Sequence, residues 1–128
     1  MNETLKLYAS HGITTAQEGR AEFDAFEFLK KASQKEKLMI DINCLGQMEL
    51  AKKFMQLPDN QFNKNENGLN LAGLKMVGDG SPQGKTAFFT KSYLTPVPGC
   101  QHDCKGFANF TQTQLNDWVR MCYKNNIQ

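Results

Sequence analysis

The sequence predicts an α/β domain built on a parallel sheet. Short apolar runs at residues 13–16, 38–44 and 71–77 have the composition of buried strands. Between these runs, apolar residues recur every three or four positions at 21–35 and 49–56, as on one face of a helix. Strands that alternate with helices are typical of βα units, in which the strands run parallel.

The flanking segments complete this order. Residues 2–10 carry a partial apolar stripe and should form a helix that ends at His11-Gly12, where a left-handed glycine can stop it. Residues 17–19 are expected to be a loop. Pro58 should end the helix at 49–56, because the residue before a proline is pushed out of the helical region.

The second half of the chain contains less regular structure. Residues 59–70 are rich in Asn and are predicted to be a loop. Residues 87–110 contain prolines and glycines and should form a long loop, and a loop of that length is more often functional than idle. Residues 111–125 should form a last helix capped by Thr111 or Thr113, after which residues 127–128 look like the start of another strand.

Composition excludes several classes of function. The 15 basic and 13 acidic residues give a formal net charge of +2, which does not build the field that nucleic acid or an anionic membrane surface requires. No apolar run approaches the ~20 residues of a membrane span, and no signal peptide is recognisable, so we expect a cytoplasmic protein. The four cysteines lie in unlike contexts, and a disulfide framework is not expected.

The stretch from residue 74 to 86 is the strongest candidate for chemistry. If the strand continues through it, Lys75 and Asp79 share one face, since side chains alternate along a strand. Buried charges are costly unless they are paired or bound to a metal. The two charges therefore form either a structural ion pair or part of a functional site.

The same stretch contains a glycine-rich loop that resembles a phosphate-binding loop. Gly84-Lys85-Thr86 matches the end of the G-x-x-x-x-G-K-T motif, but position 79 is Asp where that motif needs Gly, and no helix pattern follows. A nucleotide-binding α/β domain that uses Gly80–Thr86 is therefore kept only as an alternative.

Other polar groups admit two interpretations. Cys100, His102 and Cys104 could hint at zinc, or they could form a polar loop tip, since a structural zinc site normally uses two separated ligand pairs. Asp41 and Asn43 share a strand face and could line a site at the C-terminal end of their strand, or they could form a partly solvated edge.

Two segments resemble a known family. H-G-I-T-T-A-Q-E-G at 11–19 and L-K-M-V-G-D-G-S-P-Q-G-K-T-A-F-F-T-K-S-Y at 74–93 are similar to the amidohydrolase superfamily, in particular the YtcJ-like metal-dependent hydrolases of amidohydrolase family 3. The resemblance implies a (β/α)8 TIM barrel. Residues 1–128 would then be a single partial barrel domain of about three βα units, truncated at both ends.

The resemblance also implies functional roles. Lys75 would be a metal ligand after carboxylation by CO2, Asp79 would be catalytic, and Gly80, Ser81 and Gln83 would form a substrate loop. The reaction would be hydrolysis of a non-peptide C–N bond in a small-molecule amide or cyclic amide by a metal-activated water, with a divalent metal, zinc, as cofactor.

The chain lacks the paired histidines and the later ligands of that family. We therefore expect it to be inactive alone and to self-associate through open sheet edges. A non-catalytic remnant that binds no metal is the remaining alternative.

Overall fold

The computed structural model describes residues 2–57 and 61–128. The helices and strands are α1 (Asn2–Ser10), β1 (Thr15–Ala21), α2 (Phe23–Lys35), β2 (Asp41–Gln47), a 3-10 turn (Met48–Leu50), α3 (Ala51–Met55), β3 (Asn65–Glu66), β4 (Leu69–Lys75) and α4 (Gln112–Lys124).

The strands of the described residues form one sheet in the order β1-β2-β4-β3. β1 pairs with β2 in parallel, and β2 pairs with β4 in parallel. The two-residue strand β3 pairs antiparallel with the start of β4. The predicted α/β class with a parallel sheet is confirmed, whereas the eight-stranded barrel stays a prediction.

The chain divides into two compact units. The first contains the residues up to Met76 together with Arg120–Gln128, and the second contains Val77–Val119. The whole four-stranded sheet lies in the first unit.

The core of the first unit lies on one face of the sheet. In β2 the side chains at positions 42, 44 and 46 are buried, while the alternate ones are half-buried. An ideal Cβ on Gly46 would lie 2.7 Å from the ring of Phe54, so α3 packs directly on this strand at a glycine. The Phe54 ring also contacts Phe23 and Phe26 of α2 edge-on, at centroid distances of 5.3 and 5.8 Å.

The second unit has little regular structure apart from its part of α4, as predicted for residues 87–110. Isolated bridges join Asp79 to Ala108 and Val97 to Cys100. The N-terminus of α4 is closed by a capping box: Thr111 N–H donates to Gln114 Oε1 at 2.8 Å, and Gln114 N–H donates to Thr111 Oγ1 at 3.2 Å. The predicted cap at Thr111 is therefore confirmed.

Several predicted boundaries were wrong. Residues 17–19, expected to be a loop, lie inside β1. The second strand runs over Asp41–Gln47 rather than 38–44, because the buried side chains of Leu38 and Ile40 belong to the connection before it. Part of the predicted loop at 59–70 is strand, namely β3 and the first residues of β4.

Other boundaries changed less. The predicted helix at 49–56 begins as the 3-10 turn and continues as α3 to Met55. Pro58, its predicted terminator, lies outside the described residues, as do positions 59 and 60 of the predicted loop. Among the helices that the structure describes, none has the length and apolar character needed to cross a membrane.

Candidate functional site

The carboxyl ends of the three parallel strands lie at one edge of the sheet. The register pairs Ala21 of β1 with Gly46 of β2, and Gln47 of β2 with Lys75 of β4. Ligand and active sites of parallel α/β folds form at this edge, where the loops that leave the strands converge. The edge is therefore the candidate site of the first unit.

Lys75 is the last residue of β4 and its side chain is exposed. Its register partner Gln47 belongs to the half-buried set of β2 side chains, opposite the face on which Phe54 packs. Paired residues on adjacent strands point to the same face. Lys75 therefore lies on the sheet face opposite the one that α3 covers.

Asp79 does not continue this strand. β4 ends at Lys75, so the expectation that strand alternation places Lys75 and Asp79 on one face was wrong. Asp79 belongs to the second unit, where it forms a bridge with Ala108 and its Oδ2 accepts a hydrogen bond from Phe88 N–H at 2.8 Å. The apolar residues after Lys75 extended the predicted strand, but their backbone does not pair with a neighbouring strand.

Asp41 and Asn43 do not line the carboxyl edge. Asp41 is the first residue of β2 and therefore lies at the opposite edge. The amide Oδ1 of Asn43 accepts a hydrogen bond from Asn70 Nδ2 at 3.1 Å, across the sheet. The interpretation of these residues as a site at the strand's C-terminal end was wrong, because the strand begins where the sequence pattern placed its middle.

The loop after Asp79 is closed on itself. Ser81 N–H donates to Thr86 Oγ1 at 2.9 Å, Gly84 N–H donates to Ser81 Oγ at 3.1 Å, and Thr86 N–H donates to Ser81 O at 3.0 Å. A Cβ on Gly80 would overlap Thr86, so this position requires glycine. Gln83 is exposed at the tip.

This closure argues against the nucleotide-binding alternative. A phosphate-binding loop needs backbone N–H groups directed at the phosphates and a helix that follows. Here the N–H groups of Gly80, Lys85 and Ala87 also donate within the loop, to Thr86, Pro82 and Ser81 respectively. The next helix that the structure describes is α4, which begins at Gln112.

Cys100 and Cys104 form a disulfide. The sequence argued against a disulfide framework, and this bond links two of the four cysteines, while Cys44 and Cys122 are free and buried. Burial, with the charge of Glu18 as a smaller cause, raises the pKa of the Cys44 thiol to about 12. Burial also raises the pKa of Cys122.

The described residues do not by themselves fit a metal ion. Within residues 2–57 and 61–128, no group of three or more His, Cys, Asp or Glu side chains is placed to hold one. The sulfurs of Cys100 and Cys104, which the sequence suggested as zinc ligands, are bonded to each other in the disulfide. The described residues alone therefore do not form a complete metal site.

Two exposed aromatic residues beside Asp79 were missed in the sequence. Phe88, whose N–H binds the Asp79 carboxylate, has 55% of its surface exposed, and Phe107, which precedes the bridge partner Ala108, has 51% exposed. In the sequence, the adjacent pair Phe88-Phe89 was the feature that could have drawn attention to this region. Phe88 and Phe107 lie next to Asp79 because distant parts of the loop pair with each other, which the sequence does not show.

The chain belongs to the amidohydrolase family, since that family's sequence model matches residues 1–128. Membership makes the chain part of a hydrolase family and suggests a divalent metal. No curated protein matches the chain.

A solved structure supports the fold. The chain is similar to an uncharacterized metal-dependent hydrolase from Pyrococcus horikoshii OT3, with a TM-score of 0.81 at 18% sequence identity. The match covers 99% of this chain and 25% of that one, so the chain spans a quarter of the length of its structural neighbour. At this identity the similarity establishes the fold alone.

Proposed function

We propose that the chain forms part of the active site of a metal-dependent hydrolase that cleaves a non-peptide C–N bond in a small amide or cyclic amide. The observation that carries the proposal is the position of Lys75, an exposed lysine at the carboxyl end of a parallel strand in an amidohydrolase-family chain. Barrel enzymes place functional residues at such strand ends. Within the family we assign the chain to the YtcJ-like group, on the motif at 74–93.

Lys75 is proposed as a metal ligand. The lysine ammonium would first lose a proton. The free Nζ would then form an N–C bond to CO2 and release a second proton, which leaves an anionic carbamate with two oxygen donors. Lys75 would hold a divalent metal, which we take to be zinc, and that metal would supply Lewis-acid chemistry at this end of the sheet. Other ligands would come from strands of a longer (β/α)8 barrel, of which this chain supplies about three βα units.

Asp79 and its loop are proposed to contact the substrate. Oδ2 of Asp79 accepts a hydrogen bond from Phe88 N–H. This bond orients the carboxylate and leaves Oδ1 to accept a proton or a hydrogen bond from the substrate. The exposed Ser81 hydroxyl and Gln83 amide supply polar contacts from the same loop, and Gly80 permits its closure against Thr86.

The sheet supports a further proposal about assembly. β1 ends the strand order, so in the described sheet its outer edge has no neighbouring strand. Unpaired strand edges favour pairing with another chain. We propose that the isolated chain self-associates through this edge and, with an incomplete ligand set, has no hydrolytic activity.

The experiment uses the longest polypeptide whose reading frame contains residues 1–128. Amine release from a panel of small amides and cyclic amides is measured with and without added zinc. We expect zinc-dependent turnover that falls about 100-fold or more in Lys75→Ala. Lys31→Ala, which changes an exposed lysine of α2, is the matched control and should keep full activity.

The outcomes separate the proposals. Turnover that survives in Lys75→Ala contradicts the assigned role of Lys75, and turnover without metal contradicts the metal-dependent mechanism. Robust zinc-dependent turnover by residues 1–128 alone would show that the chain is not a partial site. Absence of both metal binding and turnover from the longest polypeptide would favour the non-catalytic alternative.

A further inference from the structure

The Cys100–Cys104 disulfide lies in the second unit and is accessible. The two cysteines are four positions apart, Cys100 is exposed and Cys104 is half-buried. The other two cysteines are buried free thiols. A reductant in solution can therefore reach one of the two sulfurs in this bond, and reduction would leave Cys44 and Cys122 unchanged.

The disulfide fixes a short, hydrogen-bonded segment. Cys100 N–H donates to Val97 O at 3.1 Å, and Tyr93 N–H donates to Cys104 O at 2.9 Å. Between the cysteines, Asp103 has a left-handed backbone with φ of 50°. Asp is one of the non-glycine residues that adopt this region most often, so the sequence is compatible with the tight path of the loop here.

The side chain of Asp103 adds two contacts to this segment. Its Oδ1 accepts a hydrogen bond from Ser92 Oγ at 2.8 Å, and its Oδ2 lies 2.9 Å from Lys105 Nζ. Hydrogen bonding from Lys105, then from Ser92, lowers the pKa of Asp103. Asp103, which makes both contacts, lies inside the loop that the disulfide closes.

The segment is connected to Asp79 through residues 86–93. Phe89 N–H donates to Lys105 O at 2.8 Å, next to Cys104, while the preceding residue, Phe88, donates to Asp79 Oδ2 at 2.8 Å. The Tyr93 hydroxyl donates to Ala87 O at 3.0 Å. The same short segment is thus bonded to the disulfide-closed loop on one side and to the Asp79 carboxylate on the other.

We propose that the Cys100–Cys104 disulfide is a reversible redox switch that orders residues 86–93 and thereby holds the N–H group that binds Asp79. The partner is a dithiol reductant, small or protein-borne. The importance of this switch for catalysis rests on the proposed role of Asp79, but the ordering itself does not.

Reduction proceeds by thiol–disulfide exchange with one molecule of the dithiol. One thiolate of the dithiol attacks the exposed Cys100 sulfur, forming a mixed disulfide and releasing the Cys104 thiolate, which takes up a proton. The second thiolate of the dithiol then displaces the Cys100 thiolate, which is protonated in turn. Two electrons pass to the protein disulfide, and the dithiol becomes a cyclic disulfide.

The test measures amide hydrogen exchange by NMR in the oxidised chain and in the chain treated with dithiothreitol. We expect exchange at Phe88, Phe89 and Tyr93 to accelerate at least about tenfold on reduction. The reference is Ile42, whose N–H donates to Gly68 O at 2.7 Å in the first unit and should keep its rate.

Thiol titration accompanies the exchange measurement. Denatured chain should show the two free thiols, Cys44 and Cys122, before reduction, and two more afterwards. A Cys100→Ser/Cys104→Ser double variant should exchange quickly at Phe88 without reductant and should not respond to it. Since reduction of the unmodified chain gives the same comparison, the test does not depend on that variant folding.

Four outcomes would overturn the proposal. Three are four thiols in the untreated chain, resistance of the bond to dithiothreitol in the folded chain, and exchange at Phe88 and Phe89 that stays within twofold on reduction. The fourth is equal acceleration at Ile42, because it would indicate general unfolding. None of these readouts requires turnover, so failure of the proposed hydrolase activity is distinguishable from failure of the switch.

Discussion

Phe88 N–H donates a hydrogen bond to the Asp79 carboxylate, with 2.8 Å between the Phe88 nitrogen and Asp79 Oδ2. On the other side, the backbone of Asp79 forms a bridge with Ala108. Asp79 thus joins two distant parts of the second unit. Its side chain therefore holds the segment around Phe88 in place.

Two substitutions of Asp79 should distinguish its role as a hydrogen-bond acceptor from the effect of its negative charge on stability. Asp79→Ala removes the acceptor and should cost about 1 kcal/mol of stability in the second unit, whereas Asp79→Asn retains a carbonyl oxygen and should cost less. The fluorescence of Trp118, which packs edge-on against Phe110 at 4.9 Å, reports urea unfolding in this unit. Equal unfolding midpoints for Asp79→Ala and the unmodified chain would show that the hydrogen bond contributes no stability.

Gly46→Ala should destabilise the first unit by about 1–3 kcal/mol. The added methyl group would lie 2.7 Å from the buried ring of Phe54, and the ring cannot move without disturbing its contacts in α2. The matched control is Gly19→Ala, where the nearest atom would be Gln17 Nε2 at 3.8 Å, and this change should be nearly neutral. The measurement is the free energy of unfolding from circular dichroism in urea.

A second substitution tests the cause of that loss. Phe54→Leu shortens the side chain that faces Gly46, so it should recover part of the stability in the Gly46→Ala background although it is destabilising alone. Additive effects of the two substitutions would contradict the packing explanation.

Alkaline pH should destabilise the fold through Cys44. The pKa of its thiol is about 12 in the folded chain, against an ordinary value of 9.0. Below pH 9 the thiol is protonated in both the folded and the unfolded chain, so this group gives the stability no dependence on pH there. Between pH 9 and 12 the unfolded chain releases the proton and the folded chain does not. The free energy of unfolding should therefore fall as pH rises, by up to about 1.4 kcal/mol per pH unit.

Cys44→Ala should reduce this slope. The thermal unfolding midpoint, followed from pH 8 to 11, provides the measurement. Some slope should remain, because burial also raises the pKa of Cys122. An unchanged slope in Cys44→Ala would show that another group controls the alkaline transition.

Local signals were enough to predict several elements. α1 has the same bounds as its prediction, Asn2–Ser10, and α4 begins one residue after its predicted cap, Thr111. Periodicity and caps are properties of a few neighbouring residues, so the sequence carries them directly.

Features that depend on long-range pairing were not predictable in this way. The polar residues 17–19 are strand only because β1 pairs with β2, and Leu38 and Ile40 are buried without belonging to a strand. The apolar run after Leu74 does not reveal that β4 ends at Lys75. The pairing of Cys100 with Cys104 depends on the path of the loop, since four cysteines allow several pairings.

The most direct test of the account is whether Lys75 carries a carbamate. The longest polypeptide containing residues 1–128 is incubated with zinc and ¹³C-labelled bicarbonate, and the carbamate carbon is detected by NMR. The account predicts a signal that is lost in Lys75→Ala and on removal of zinc, and kept in Lys31→Ala. Zinc-dependent hydrolysis without a carbamate on Lys75 would contradict it.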